Sequence, residues 1–230
     1  MNRYIPQIRL DEIGEQGQSR LSGSRILIVG CGALGSPMAM YLAGAGVGHI
    51  TIADFDNVET SNLHRQVFYT EKEVGLGKAE LLGKRMRELN SEISIQVADH
   101  LVTKKWLESR QEKFDLIADA ADNPATTYML DAFCAENGIP LSTAGVSEWK
   151  AQIFFYLPGS TRYSDVFERP SEGSGILPCS IAGITGPLAS FAASIQSIDI
   201  IKHLAGVEAS RSSRLISADL LNNRIEVFDC

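Results

Sequence analysis

An α/β fold is predicted, a Rossmann-like doubly wound sheet that is mainly parallel with antiparallel C-terminal strands, and three observations predict it. A short apolar, β-branched run at 25–30 ends in Gly30-Cys31-Gly32-Ala33-Leu34-Gly35 and opens into a helix-length stretch at 34–45. A second run at 49–54 ends in the carboxylate of Asp54, so strand, helix and strand fall within about 30 residues, the size of a βαβ unit. Near the chain end, 214–217 and 224–228 have the form of an antiparallel pair around an Asn222-Asn223 turn.

The elements between follow from the same patterning. A helix is expected over 78–89, with Lys84, Arg85 and Arg87 toward its C-terminal end, where cations complement the helix dipole. A strand follows at 93–97, and 114–119 and 140–144 have the form of two more buried strands separated by a helix at 125–136. The pattern to this point is a parallel sheet. From 151–156 the regime changes, and a Gly, Ser and Pro-rich stretch at 158–178 predicts a long surface loop of the kind that often carries function. Residues 195–204 are helical by pattern.

The chain has 230 residues, 44% hydrophobic and 21% charged, enough for one core and a single domain over 1–230. Lys and Arg number 21 against 28 Asp and Glu, a formal charge of −7, which disfavours a general nucleic-acid-binding surface. Residues 1–10 carry no basic segment followed by an apolar run, and no apolar stretch is long enough to span a bilayer, so a cytoplasmic protein is expected with no membrane partner. No period of 20 to 50 residues marks a solenoid or propeller. Cys31, Cys134, Cys179 and Cys230 lie far apart and form no C-x-x-C pair, which argues against a zinc site, a redox dithiol or a disulfide framework.

The glycine pattern follows a strand and begins a helix, the context in which it signifies a phosphate site. Gly30, Gly32 and Gly35 let the backbone turn and approach an anion, and the helix beyond presents unpaired N–H groups to it. Asp54 lies 19 positions beyond Gly35, where an acidic side chain accepts from ribose hydroxyls. These features fit NAD and ATP equally. The next segment separates them: Arg65 and Lys78 stand downstream of the ribose carboxylate, suited to the β- and γ-phosphates of a triphosphate, and hydride transfer has no need of them. Taken singly, each is also readable as an exposed surface cation. Asp119 and Asp122 flank the C-terminal end of the 114–119 strand, where ligands sit in open α/β sheets; either can bind a hard cation or cap the helix beginning near Pro124.

GCGALGS, DFD, SNLHRQ, GKAE and ADN stand here in the order and spacing of the ThiF/MoeB/HesA family, relatives of the ubiquitin-activating enzymes, and the chain resembles that family, ThiF most nearly, from Arg3-Tyr4 through Gly183, Pro187 and the final strand. The resemblance implies ATP and Mg2+ as cofactors and adenylation of the C-terminal Gly-Gly of a ubiquitin-like sulfur-carrier protein, in thiamine (thiazole) biosynthesis or, alternatively, molybdopterin synthesis. It implies that Asp54, with Asp56, binds the ribose end, that Asn62, Arg65, Gln66 and Lys78 surround the phosphates, and that Asp122 positions magnesium beside the attacked phosphorus. It further implies a homodimer, a possible sulfur-donor protein, and a role for Cys179 in a persulfide or thioester link to the carrier. Cys179 precedes a helix at the end of the expected loop, where a thiol pKa can fall; a free cysteine is equally a small buried hydrophobe.

The sequence departs from the family at two places. The C-x-x-C pairs that hold a structural zinc are absent, Thr161-Arg162-Tyr163-Ser164-Asp165 standing at the first, so no structural zinc is expected. Pro6 occupies the slot of an arginine that reaches a partner subunit's ATP, leaving Arg3 or Arg9 to substitute, or the chain to be a weakly catalytic binding subunit.

Overall fold

A computed structural model of the chain describes residues 3–169, 183–208 and 213–230. The chain begins with two helices, α1 (Ile5–Ile8) and α2 (Gly14–Gly23), then runs β1 (Arg25–Val29), α3 (Gly35–Ala45), β2 (His49–Ala53), α4 (Lys78–Leu89), β3 (Ser94–Ala98), α5 (Lys104–Glu108), β4 (Leu116–Asp119), α6 (Pro124–Asn137), β5 (Leu141–Ser147), β6 (Lys150–Tyr156), α7 (Tyr163–Val166), α8 (Gly186–Ala205), β7 (Arg214–Asp219) and β8 (Arg224–Asp229). The strands form one eight-stranded sheet in the order β3-β2-β1-β4-β5-β6-β7-β8. The first five are parallel and β6, β7 and β8 are antiparallel.

Alternation along the strands divides the core into two layers. Ile26 and Ile28 of β1, with Ile50 and Ile52 of β2, face Met38 and Leu42 of α3, Leu82 and Met86 of α4, and Leu188, Ala192 and Ile200 of α8. Leu27 and Val29 point the other way, toward Leu107 of α5 and Leu130 and Phe133 of α6. Covered on both faces, these strands carry continuous apolar runs, as parallel strands do.

Several elements differ from expectation. Helix α8 begins at Gly186, nine residues before 195, because apart from Leu188 its first turns bury small residues, Ala189, Ala192 and Ala193, and Pro187 sits in the first turn where no N–H is required. The helices α1 and α2 have no apolar period; α2 buries only Gly17, Gln18 and Leu21. Gln7 and Gln18 both donate to the Ala45 carbonyl at 3.1 Å, closing the end of α3 with polar side chains. Of the loop expected over 158–178, residues 170–178 lie outside the described residues, and the described part carries α7.

Helix α7 is held on α6. Asp131, fully buried, accepts from Arg162 at 2.8 Å and from the Tyr163 N–H at 3.0 Å. The Tyr128 hydroxyl faces the Phe167 and Glu168 carbonyls at 2.9 and 2.7 Å, and the rings of Tyr128, Phe154, Tyr163 and Phe167 pack together beneath. On the opposite layer, buried Asp199 of α8 pairs with Lys202 at 3.2 Å and with Arg214 of β7, joining the long helix to the antiparallel strands.

Candidate nucleotide site

In the strand order β3-β2-β1-β4-β5 the chain reverses direction across the sheet between β1 and β4, and the crevice beyond the carboxyl ends of such strands is where open α/β sheets bind ligands. Val29 and Asp119, the last residues of β1 and β4, lie side by side. Gly30 leaves β1 with φ +97°, and a Cβ there would stand 2.5 Å from the Ala120 carbonyl oxygen. A Cβ on Gly35 would collide with the Gly30 carbonyl. These two glycines close the loop on itself and on β4. A Cβ at Gly32 would meet only the Gln66 amide, at 3.5 Å, so this middle glycine faces the opening.

The second strand is strapped to that loop. One Asp54 carboxylate oxygen accepts from the Cys31 N–H at 2.6 Å and the other from the Asp56 N–H at 2.8 Å. Burial raises the Asp54 pKa from its ordinary value, opposed by these two N–H donors and by Lys78. Lys78 opens α4 with only 5% of its surface exposed, and its ammonium donates to Asp56 at 3.1 Å. A surface cation is therefore not what the chain places here. A buried ammonium needs a counter-charge, and the half-exposed Asp56 carboxylate supplies it.

Asn62 and Gln66 come from the short 3₁₀ turn Thr60–Asn62 and the residues after it, where Gln66 N–H bonds back to the Asn62 carbonyl at 2.9 Å. Both side chains are buried, at 7% and 5% exposure, yet Asn62 Oδ1 and Gln66 Oε1 have no hydrogen-bond partner among the described residues. Which end of an amide is oxygen is an assignment, and either orientation leaves a buried polar atom at each residue to be matched by a ligand. Arg65 is turned onto its own loop, donating to the Ser61 carbonyl at 2.9 Å and meeting His64 Nε2 at 2.8 Å. The N-terminus of the twenty-residue helix α8 presses on the same backbone: a Cβ on Gly186 would stand 3.0 Å from the His64 carbonyl oxygen and 3.1 Å from Arg65 Cα.

Beyond β4, Asp122 is exposed, whereas Asp119 is buried and fully partnered, accepting from Thr127 and Thr143 hydroxyls at 2.7 and 2.9 Å and from the Ala121 N–H at 3.1 Å. Burial raises the Asp119 pKa in spite of those donors. Neither aspartate caps α6; Asn123 does, accepting from the Thr126 N–H at 2.9 Å. Among the described residues, no group of three or more His, Cys, Asp or Glu side chains is gathered as a metal cage, and Asp122 offers a single carboxylate.

Sequence reasoning missed Tyr69, which is buried and whose hydroxyl reaches the Cys31 carbonyl of the glycine loop at 2.8 Å. Three residues past Gln66, it carried no motif signal. Cys31 and Cys134 are fully buried, and burial pushes both thiols up; Cys179 lies outside the described residues. Near the N-terminus, Arg3 donates to the Leu89 carbonyl at the end of α4 at 2.8 Å, and Arg9 is exposed. No helix among the described residues is long and apolar enough to cross a membrane.

A profile described as the ThiF family matches residues 4–230. The chain is 38% identical over 218 residues to "Adenylyltransferase and sulfurtransferase MOCS3" of Aedes aegypti, covering 94% of this chain and 50% of that protein, and 35% identical over 221 residues to the protein of the same name from Dictyostelium discoideum, covering 95% and 52%. The chain thus spans about half the length of these relatives. Among solved structures it is similar to E. coli MccB crystallised with ATP, at TM-score 0.84 and 25% identity over 99% of this chain and 71% of that one.

Proposed function

The chain belongs to the ThiF family, and from that membership we propose that it uses ATP to adenylate the C-terminal glycine carboxylate of a small ubiquitin-like sulfur-carrier protein. One observation carries the nucleotide half of this reading: Asn62 and Gln66 each keep a buried amide atom without a partner, the Lys78 ammonium is buried, and the Gln66 amide is what a Cβ on Gly32 would meet. With each amide turned so that its nitrogen takes the unpartnered position, Asn62 and Gln66 donate as the buried Lys78 ammonium does, and donors beside a glycine loop suit phosphate oxygens. The similarity to MccB crystallised with ATP supports the same ligand, and the relatives named adenylyltransferase and sulfurtransferase support a sulfur carrier as substrate. Thiazole formation is the pathway we favour for that carrier, with molybdopterin synthesis the alternative.

Asp54, fixed by two backbone N–H groups, keeps lone pairs for ribose hydroxyls. Backbone N–H groups of the glycine loop and the start of α3 face the α-phosphate. Asn62, Gln66 and Lys78 hold the outer phosphates, Lys78 exchanging Asp56 for a phosphate oxygen, and Arg65 joins them by leaving Ser61. Asp122 would hold Mg2+, a hard cation that would supply charge neutralisation at the phosphates. The carrier carboxylate attacks the α-phosphorus, an oxygen–phosphorus bond forms, and the bond to pyrophosphate breaks. No protein nucleophile enters that step; catalysis rests on alignment and on charge placed beforehand. We further propose a homodimer with one site per subunit.

With Mg2+ and a Gly-Gly-terminated carrier both present, ATP is expected to yield pyrophosphate and a carrier adenylate, which releases AMP on hydrolysis, and either omission to abolish the yield. ADP and free phosphate as products would refute adenylation.

A further inference from the structure

We infer that Tyr69 is a positioning residue for the triphosphate: its hydroxyl pins the glycine loop to the residue that carries the buried cation, setting the spacing between the two groups that grip phosphate. The inference rests on the ATP reading above and adds to it a residue that touches no reactant. The Tyr69 hydroxyl donates chiefly to the Cys31 carbonyl, 2.8 Å away between the first two glycines, and also faces the Lys78 carbonyl at 3.3 Å at the start of α4. The same Cys31 residue is held on its N–H side by Asp54, so the peptide chain between Gly30 and Gly32 is fastened on both sides. Burial pushes the Tyr69 phenol far up, which keeps it a donor.

A phenylalanine would fill the same volume, so packing alone does not explain a hydroxyl at 4% exposure; a buried tyrosine oxygen is kept for the partner it meets. The ring is held from outside as well. The Arg85 guanidinium lies 5.8 Å from the ring centroid and donates to both Glu73 oxygens at 2.7 Å, and Glu73 in turn accepts from the Thr70 N–H and hydroxyl at 2.9 and 3.0 Å. Residues 69–73 and Arg85 thus form a bracket that stops the ring from shifting, and the hydroxyl transmits that fixity to the site.

Because the glycine loop that carries Cys31 and the Lys78 ammonium serve the phosphates whereas Asp54 keeps its Asp56 N–H bond, loss of the hydroxyl should weaken phosphate binding selectively. Tyr69→Phe is expected to raise the Kd for Mg-ATP about tenfold, the scale of a buried carbonyl losing its donor, while the Kd for adenosine changes by less than about twofold. Calorimetry for ATP and chemical-shift titration for adenosine read the two, with the unfolding midpoint as a check on the fold. Equal losses for ATP and adenosine would mean that Tyr69 only supports the fold, and no loss for either would mean that the hydroxyl positions nothing; each overturns the proposal. Wild-type protein that binds no ATP overturns the nucleotide reading, and this proposal with it. If Tyr69→Phe does not fold, Glu73→Gln, which frees Arg85 from the ring without entering the core, is expected to shift the ATP-to-adenosine ratio the same way by about two- to threefold, and an unchanged ratio there refutes the bracket.

Discussion

Asp119 and Asp122 stand three positions apart and meet opposite surroundings. Asp119 is inside the sheet with three donors around it, and Asp122 is in solvent beyond the strand end. A charge free of structural partners is the one available to a substrate or ion. Asp122→Asn should leave the unfolding midpoint unchanged and cut carrier-dependent pyrophosphate exchange about 100-fold, the scale of a lost electrostatic stabiliser in an active site. Wild-type exchange in that variant would remove Asp122 from the mechanism. From residue types alone, the two carboxylates were equivalent candidates for cation binding and for capping. What distinguishes them is depth, set by Thr127 on α6 and Thr143 on β5, two side chains that no local pattern connects to Asp119. Lys78 carried the complementary ambiguity: a cation after GLG looks exposed, and only the fold shows it sunk beside Asp56.

At the scale of elements, the βαβ start and helix α4 were legible because large apolar residues recur with the period of the structure they form. The boundary of α4 at Lys78 and Leu89 was readable from its pattern. Helices α1, α2 and the first turns of α8 were illegible for the converse reason: α1 buries no residue, and the other two bury a single leucine each, Leu21 and Leu188, among glycine, glutamine and alanine. Helix α7 was hidden in a polar stretch and is kept by partners distant in sequence, Asp131 and Tyr128. The resemblance placed the first of two cysteine pairs at this stretch; in this chain an ion pair and four aromatic rings hold it. Asp131→Asn removes the charge facing a partly exposed arginine and should cost about 1–3 kcal/mol, less than a fully buried pair because solvent screens Arg162. Chemical unfolding with and without a chelator measures it. A midpoint that falls with chelator in the wild type would show that a metal, and not this clamp, secures the element.

For the whole molecule, the arrangement is a parallel half that carries the candidate nucleotide site and an antiparallel half that extends the sheet. Tyr41 on α3 and Ile198 on α8, two helices that pack against each other, are 56% and 51% exposed. Light scattering at micromolar concentration is expected to give twice the chain mass, and a monomer mass would refute the homodimer. The sequence carried no sign of which helices pair, because α8 returns across the sheet from the far half to lie on α3, and contacts of that reach leave no local pattern. That return has a consequence in time. Gly30, Asp54, Asn62, Lys78 and Asp122 all precede β5, yet the backbone of Arg65 is backed only when Gly186 seats on it. A chain emerging from the ribosome holds all five of these residues long before it holds the helix that backs Arg65. Contacts of high sequence separation close slowly, so the support behind Arg65 arrives late in synthesis, with the last quarter of the polypeptide.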